Sequence, residues 1–200
     1  MKKLLLQVSA LALLVVMAAS CSKMPEAEVA TAKASVEAAK SVEANRYIAP
    51  EFNAVQDSLN SALVEIETQK GKFFLTRDYK PVTAKLVALT AEADALKAKT
   101  EERKAAVRTE VQETLTALSL LIEEDKALLK KAPKGKEGKA ALEAIQNDIT
   151  VIEASVNEVN TLVTNGDYLT AQDKVNASKV KAEAIKEELN AAIAKTKKRR

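Results

Sequence analysis

Cys21 is the only thiol in a chain of 200 residues. A thiolate is a good nucleophile and its thioethers are stable, so this position suits permanent covalent attachment. One cysteine permits no internal disulfide and no cysteine-built metal site. The chain has no histidine, which removes the commonest general base and metal ligand at neutral pH. Carboxylates remain, notably in the runs Glu101-Glu102 and Glu123-Glu124-Asp125. Paired carboxylates can do acid/base work or hold calcium. Adjacent helical residues, however, point about 100° apart, so these runs read as solvated faces. No glycine-rich phosphate loop, nucleophile elbow or EF-hand pattern occurs. The expectation is a protein with no catalytic residues, no metal and no cofactor.

Charge supplies a second set of candidates. There are 31 basic and 28 acidic side chains, a net charge of +3, and this balance gives no field of the kind that nucleic-acid binding needs. The distribution is uneven: residues 21–194 carry 24 basic and 28 acidic groups, while Lys195, Lys197, Lys198, Arg199 and Arg200 close the chain. Three readings of this basic tail, 195–200, stay open. It can complement the last helix dipole, bind an acidic envelope polymer or phospholipid headgroups, or be a solvated frayed end.

Lys2 and Lys3, the apolar stretch from Leu4 to Ala19, and the small residues Ala18, Ala19 and Ser20 follow one another as in a secretory signal. The apolar run is about 16 residues, shorter than the roughly 20 a spanning helix needs. Ala18-Ala19-Ser20-Cys21 resembles the lipobox of bacterial lipoproteins, with Ala18 where Leu is more usual. The resemblance implies cleavage between Ser20 and Cys21, a diacylglyceryl group on the Cys21 sulfur, and acylation of the new amine. Residues 1–20 are then the signal peptide and 21–25 the lipidated cysteine and its tether. Ser22 stands where Asp would resemble an inner-membrane retention signal, so in a host with two membranes the expected place is the outer membrane, facing the periplasm. Two or three acyl chains, at about 0.8 kcal/mol per buried methylene, make a durable anchor where one does not.

The elements that must carry these features are helical. Hydrophobic residues make up 47% of the chain but aromatics only 3%, with no Trp and four each of Gly and Pro, which excludes sandwiches, barrels and glycine-turned α/β enzymes. Pro25, Pro50, Pro81 and Pro133 are read as helix starts. Val29, Ala32, Val36 and Ala39 mark a first helix over Glu26 to about Asn45. Phe52, Val55, Leu59, Ala62 and Ile66 mark a second, able to continue through Gly71 to Phe73 and Phe74. Val82, Leu86, Leu89, Ala93 and Leu96 form a coiled-coil-like seam, and Val107, Val111, Leu115, Leu118 and Ile122 carry it on. No Gly or Pro interrupts Val82 to Lys131, so one helix of about 50 residues, roughly 75 Å, is predicted. After a Pro-Lys-Gly break at 132–138, Leu142, Ile145, Ile149, Ile152, Val156 and Val159 mark the next helix, and Val175, Ala182, Ile185 and Leu189 the last.

The halves look duplicated. Asp78-Tyr79 matches Asp167-Tyr168, and Lys85, Ala88, Ala93, Ala95 and Lys97 fall on Lys174, Ala177, Ala182, Ala184 and Lys186, all 89 residues apart. Phe52, Val55, Leu59 and Ile66 fall on Leu142, Ile145, Ile149 and Val156 at 90. With Ala49-Pro50-Glu51 and Gly166-Asp167-Tyr168, the chain resembles an uncharacterised group of Ala-rich helical bacterial envelope domains, a resemblance that implies a fold and no activity. The expected architecture is all-α: an elongated helical bundle of two tandem three-helix units, 26–103 and 104–194, sharing a long central helix. Antiparallel packing of the first two helices and a kinked collinear arrangement at Pro50 both stay open.

Five aromatics, Tyr47, Phe52, Phe73, Phe74 and Tyr79, cluster around the joints of the first unit. They suit either a partner patch or caps on the ends of the core, and core capping is the preferred reading. The functional expectation is a lipid-anchored cell-envelope spacer or docking scaffold. Its partners would be the membrane through Cys21, an envelope protein or cell-wall polymer, and a second copy of itself. The alternative is a periplasmic module that holds a hydrophobic or lipid ligand between its helices.

Overall fold

Alanine, leucine, lysine and glutamate favour helix at most positions, and their apolar members recur every three or four residues, so each helix has one face to bury. A computed structural model describes residues 23–133 and 138–198. Those residues form α1 (Glu26–Ser41), α2 (Ala44–Tyr47), α3 (Ala49–Lys70), a 3-10 turn (Phe74–Thr76), α4 (Lys80–Lys131), α5 (Lys139–Thr164) and α6 (Tyr168–Lys198). There is no strand among the described residues, and the protein is an all-α helical bundle. The chain divides into two compact units between Arg103 and Lys104, inside the 52-residue α4.

Unit 1 packs α1, α3 and the first part of α4. Its core joins Ala32, Val36 and Ala39 of α1 with Phe52, Val55, Leu59, Ala62 and Ile66 of α3 and Val82, Leu86, Leu89, Ala93 and Leu96 of α4. Ala32, Ala39, Ala62 and Ala93 are wholly buried, and their small side chains let the helices approach closely. Ser35 bonds Asp94, and Ala27 and Thr31 line one groove with Val87 and Thr90, so α1 and α4 run parallel. Lys85 Nζ donates to Ser61 Oγ at 2.8 Å across the α3–α4 hairpin. The first two long helices are therefore antiparallel, not collinear, and the reversal is made by Glu43 in the left-handed region (φ 68°) followed by the single turn of α2.

Unit 2 packs the second part of α4 with α5 and α6. The Ser155 and Ser178 hydroxyls meet at 2.7 Å and Glu158 pairs with Lys174, which sets α5 antiparallel to α6. Glu110–Gln172 and Glu124–Lys186 are both 62 residues apart, so α4 and α6 are parallel. Gly166 closes α5 with φ 81°: its N–H donates to the Val163 carbonyl and the Asp167 N–H to that of Leu162, the pairing of a Schellman cap.

The two units bury the same register. Val82, Leu86, Leu89, Ala93, Leu96 and Thr100 of unit 1 and Ala171, Val175, Ser178, Ala182, Ile185 and Leu189 of unit 2 are all buried and stand 89 residues apart, position for position. Ala32, Val36 and Ala39 of α1 likewise stand 86 residues before the buried Leu118, Ile122 and Asp125 of α4.

Three helix boundaries differ from the sequence expectation. The helix α3 does not reach Phe74 but stops at Lys70, because the following Phe73, Phe74 and Leu75 are consecutive and cannot share its buried face. Pro50 and Pro81 are the second residues of α3 and α4, where a missing N–H costs nothing, and Pro25 precedes α1. Pro133 starts no helix: it follows the end of α4, and α5 begins at Lys139. The first helix ends at Ser41, before Asn45.

Candidate functional site

Cys21, with Ser20 and the segment before it that the sequence reading takes as a signal peptide, lies outside the described residues. The described chain begins two residues later. Lys23 is exposed, Met24 packs against the core of unit 1 and Pro25 is buried at the entrance to α1. Lys23, Met24, Pro25 and Glu26 share a cleft of about 900 Å³ with Tyr79, Lys80 and Thr83, where α4 begins.

The five clustered aromatics do not form one surface. Tyr47 (7% exposed), Phe52 (6%) and Tyr79 (3%) belong to the interior, and Tyr47 and Phe52 lie at the α1–α3 joint, the opposite end of the unit from Tyr79. Phe73 (65%) and Phe74 (55%) are exposed beside Leu75 (71%), with ring centroids 4.7 Å apart. The buried three take the place of core side chains, with Phe52 and Tyr79 in the core of unit 1. The exposed pair stands on a loop that Arg77 braces: its Nε donates to the Lys72 carbonyl at 3.0 Å and a terminal nitrogen to that of Lys70 at 2.8 Å. Asp78 starts α4, accepting the Lys80 N–H at 3.0 Å.

The carboxylate runs do not converge. Glu101 and Glu102 are exposed. Glu123 pairs with Lys126, which holds its carboxyl below the usual range, and Glu124 pairs with Lys186 of α6, whose ammonium is held above its usual value. Lys126 also reaches Glu153 of α5 at 2.6 Å, and both bonds raise its pKa. Asp125 differs from its neighbours: its side chain is 0% exposed and neither carboxyl oxygen has a hydrogen-bond partner. Burial pushes its pKa up to about 6, against the pull of the Lys186 cation and with a small push from Glu124. By register it occupies the position that Ala39 fills in unit 1. No group of three or more acidic, cysteine or histidine side chains able to hold a metal ion occurs among the described residues.

Of the basic tail, Lys195 is exposed on α6. Lys197 and Lys198 lie within the span of α6 and their side chains are outside the described set, as are Arg199 and Arg200 altogether. Sequence reasoning did not single out Leu75 or Lys72, nor the burial of Asp125, and it met Arg77 only as the residue standing where the second turn has Gly166. The signals were present: Lys72 to Leu75 follow the helix-ending Gly71, and Asp125 stands three residues after Ile122 and four before Leu129, on the apolar stripe. No described helix is long and apolar enough to cross a membrane. Comparison of the chain with protein-family models, with curated proteins and with solved structures finds no match in any of the three.

Proposed function

We propose that this chain is a lipid-anchored protein of the bacterial cell envelope that works as a helical spacer or docking scaffold. The observation that carries the reading is the order of parts around Cys21: two lysines, an apolar run too short to span a bilayer, Ala18-Ala19-Ser20, the single thiol, and then, four residues after the cysteine, the start of a helical body at Pro25. Acyl chains on Cys21 fix one end and the helices carry exposed faces away from it. On this reading the body acts by shape and surface, not by catalysis. In a host with two membranes, the outer membrane facing the periplasm is the proposed site.

The helices carry isolated exposed apolar side chains, Val64 and Val87 in unit 1 and Leu120, Val151 and Val180 in unit 2. Single exposed valines are ordinary, so they are sites for probes and not a patch in themselves. Photocrosslinkers placed at these five positions in living cells test the scaffold role. Reproducible capture of one envelope protein, of a second copy, or of cell-wall polymer supports it. No adduct from any position, with a melting temperature that instead rises on adding lipid, favours a module that binds a hydrophobic ligand between its helices.

A further inference from the structure

We propose that the loop 71–77 of unit 1 is a membrane-docking finger, whose tip Phe73-Phe74-Leu75 sits in the headgroup layer of the anionic bilayer that holds Cys21. The proposal rests on the lipid-anchor reading for its setting, while its evidence comes from the body of the protein.

Three consecutive large apolar side chains are more than half exposed there, with Leu75 at 71%. The loop is built to keep them out. Arg77 ties it to the Lys70 and Lys72 carbonyls, Thr76 Oγ1 donates to the Phe73 carbonyl at 2.8 Å, and the Asp78 N–H donates to Gln69 Oε1 at 3.1 Å. These bonds satisfy the end of α3 internally and leave the tip projecting.

The second unit shows what the same position does without this device. At the 90-residue register, Lys72 and Phe73 fall on Leu162 and Val163, which stay helical and half-buried while α5 runs on to Thr164. Unit 1 stops its helix at Lys70 and turns the equivalent residues outward.

Charge and position identify the occupant. Residues 70–80 contain four cations, Lys70, Lys72, Arg77 and Lys80, and one anion, Asp78; Lys70 is paired with Glu67 at 2.6 Å, so the cationic excess of the loop rests on Lys72, Arg77 and Lys80. Aromatic and leucine side chains ringed by Lys and Arg are the composition that partitions into an anionic membrane interface. The loop leads into Tyr79 and Lys80, which line one cleft with Lys23 and Met24. On the lipid-anchor reading, the acyl chains on Cys21, two residues before Lys23 in the sequence, enter the bilayer beside this end of the bundle. A lipid at a single point leaves the body free to swivel about it. A second contact beside it orients the helices relative to the membrane plane.

The chain has no Trp, so Phe74→Trp supplies a single reporter at an already exposed position, and Val64→Trp on α3 supplies a control at 66% exposure. Each variant of the full chain is isolated from cell membranes and reconstituted in vesicles of about three parts phosphatidylethanolamine to one part phosphatidylglycerol, with brominated acyl chains as quencher. The expected result is at least about twofold quenching of the indole at 74 and none at 64, lost when phosphatidylcholine replaces phosphatidylglycerol. An unquenched indole at 74 in vesicle-bound protein overturns the finger and leaves the anchor standing; it is also the outcome if the loop docks on a protein. Equal quenching at both positions overturns it too. The same reading is taken with Cys21→Ser added, that protein being purified from whole-cell extract and mixed with the same vesicles. Quenching at 74 that persists at about tenfold higher lipid supports the finger whether or not Cys21 is acylated, and quenching that vanishes at every lipid concentration overturns it.

Discussion

Replacing Asp125 with Ala should stabilise the protein, by a gain that grows between about pH 4 and about pH 6 and is full above the pH at which the buried carboxyl ionises. In the unfolded chain this carboxyl titrates near 3.8, and in the folded chain near 6, because burial disfavours its charge. The folded state thus holds the proton more tightly. The contribution of Asp125 is most favourable below the unfolded value and is lost as the pH rises through the folded one. The separation corresponds to about 3 kcal/mol, and screening by water outside the packed helices leaves about 1–3 kcal/mol. The charges that face the site do not reverse this. Lys126 bridges Glu123 and Glu153 of α5, and Lys186 of α6 is engaged by Glu124 with Glu183 nearby; both ammonium groups stay charged across the window. Alanine is the residue unit 1 uses at this register, Ala39, so the helix path tolerates it. The small void it leaves and its better helix propensity each amount to about 0.5–1 kcal/mol and offset one another. Urea unfolding followed by far-ultraviolet circular dichroism at about pH 7.5 and about pH 4 reads the difference, and at the higher pH the melting temperature should rise by about 3–10 °C. Destabilisation at about pH 7.5, or the same gain at both pH values, refutes the reasoning.

Three other outcomes follow from the packing. Leu118→Ala, at a fully buried position of α4, should cost about 2–5 kcal/mol in the same urea assay; a loss under about 1 kcal/mol contradicts its place in the core. Gly166→Ala puts a Cβ at φ 81° and should cost about 1 kcal/mol, whereas Gly71→Ala, at φ −68° with its nearest neighbour 3.6 Å away, should be neutral or slightly stabilising; equal effects would mean that the hairpin cap does not depend on that conformation. Ser155→Ala and Ser178→Ala, alone and together, should show a coupling of about 0.5–1.5 kcal/mol across α5 and α6, and strict additivity would deny their 2.7 Å contact.

Most of the fold was legible because one periodicity runs through it. Phe52, Val55, Leu59, Ala62 and Ile66, and then Val82, Leu86, Leu89, Ala93 and Leu96, are spaced for one helix face, and all ten are buried. The 89-residue match in sequence reappears as a match in burial, with Ser178 replacing Leu89 and Leu189 replacing Thr100. Helix ends were less legible. A stripe says which face is buried but not where backbone hydrogen bonding stops, so α3 stops before Phe73 and α1 before Asn45. At the candidate surfaces, aromatic residues satisfy the demands of a core and of an exposed patch equally well, and only their place in three dimensions separates Phe73 and Phe74 from Tyr47, Phe52 and Tyr79. Asp125 was read by its charge, with Glu123 and Glu124, when its register beside Ile122 was the stronger signal.

The central claim is that Cys21 carries the lipid that holds this helical body at a membrane. The most direct measurement is the intact mass of the N-terminal peptide of the protein extracted from bacterial membranes. The account predicts a chain that begins at Cys21 and bears a diacylglyceryl thioether, with neither the adduct nor membrane retention in Cys21→Ser. A free Cys21 thiol on a chain that still begins at Met1, or a Cys21→Ser protein held at the membrane as firmly as the wild type, would contradict it.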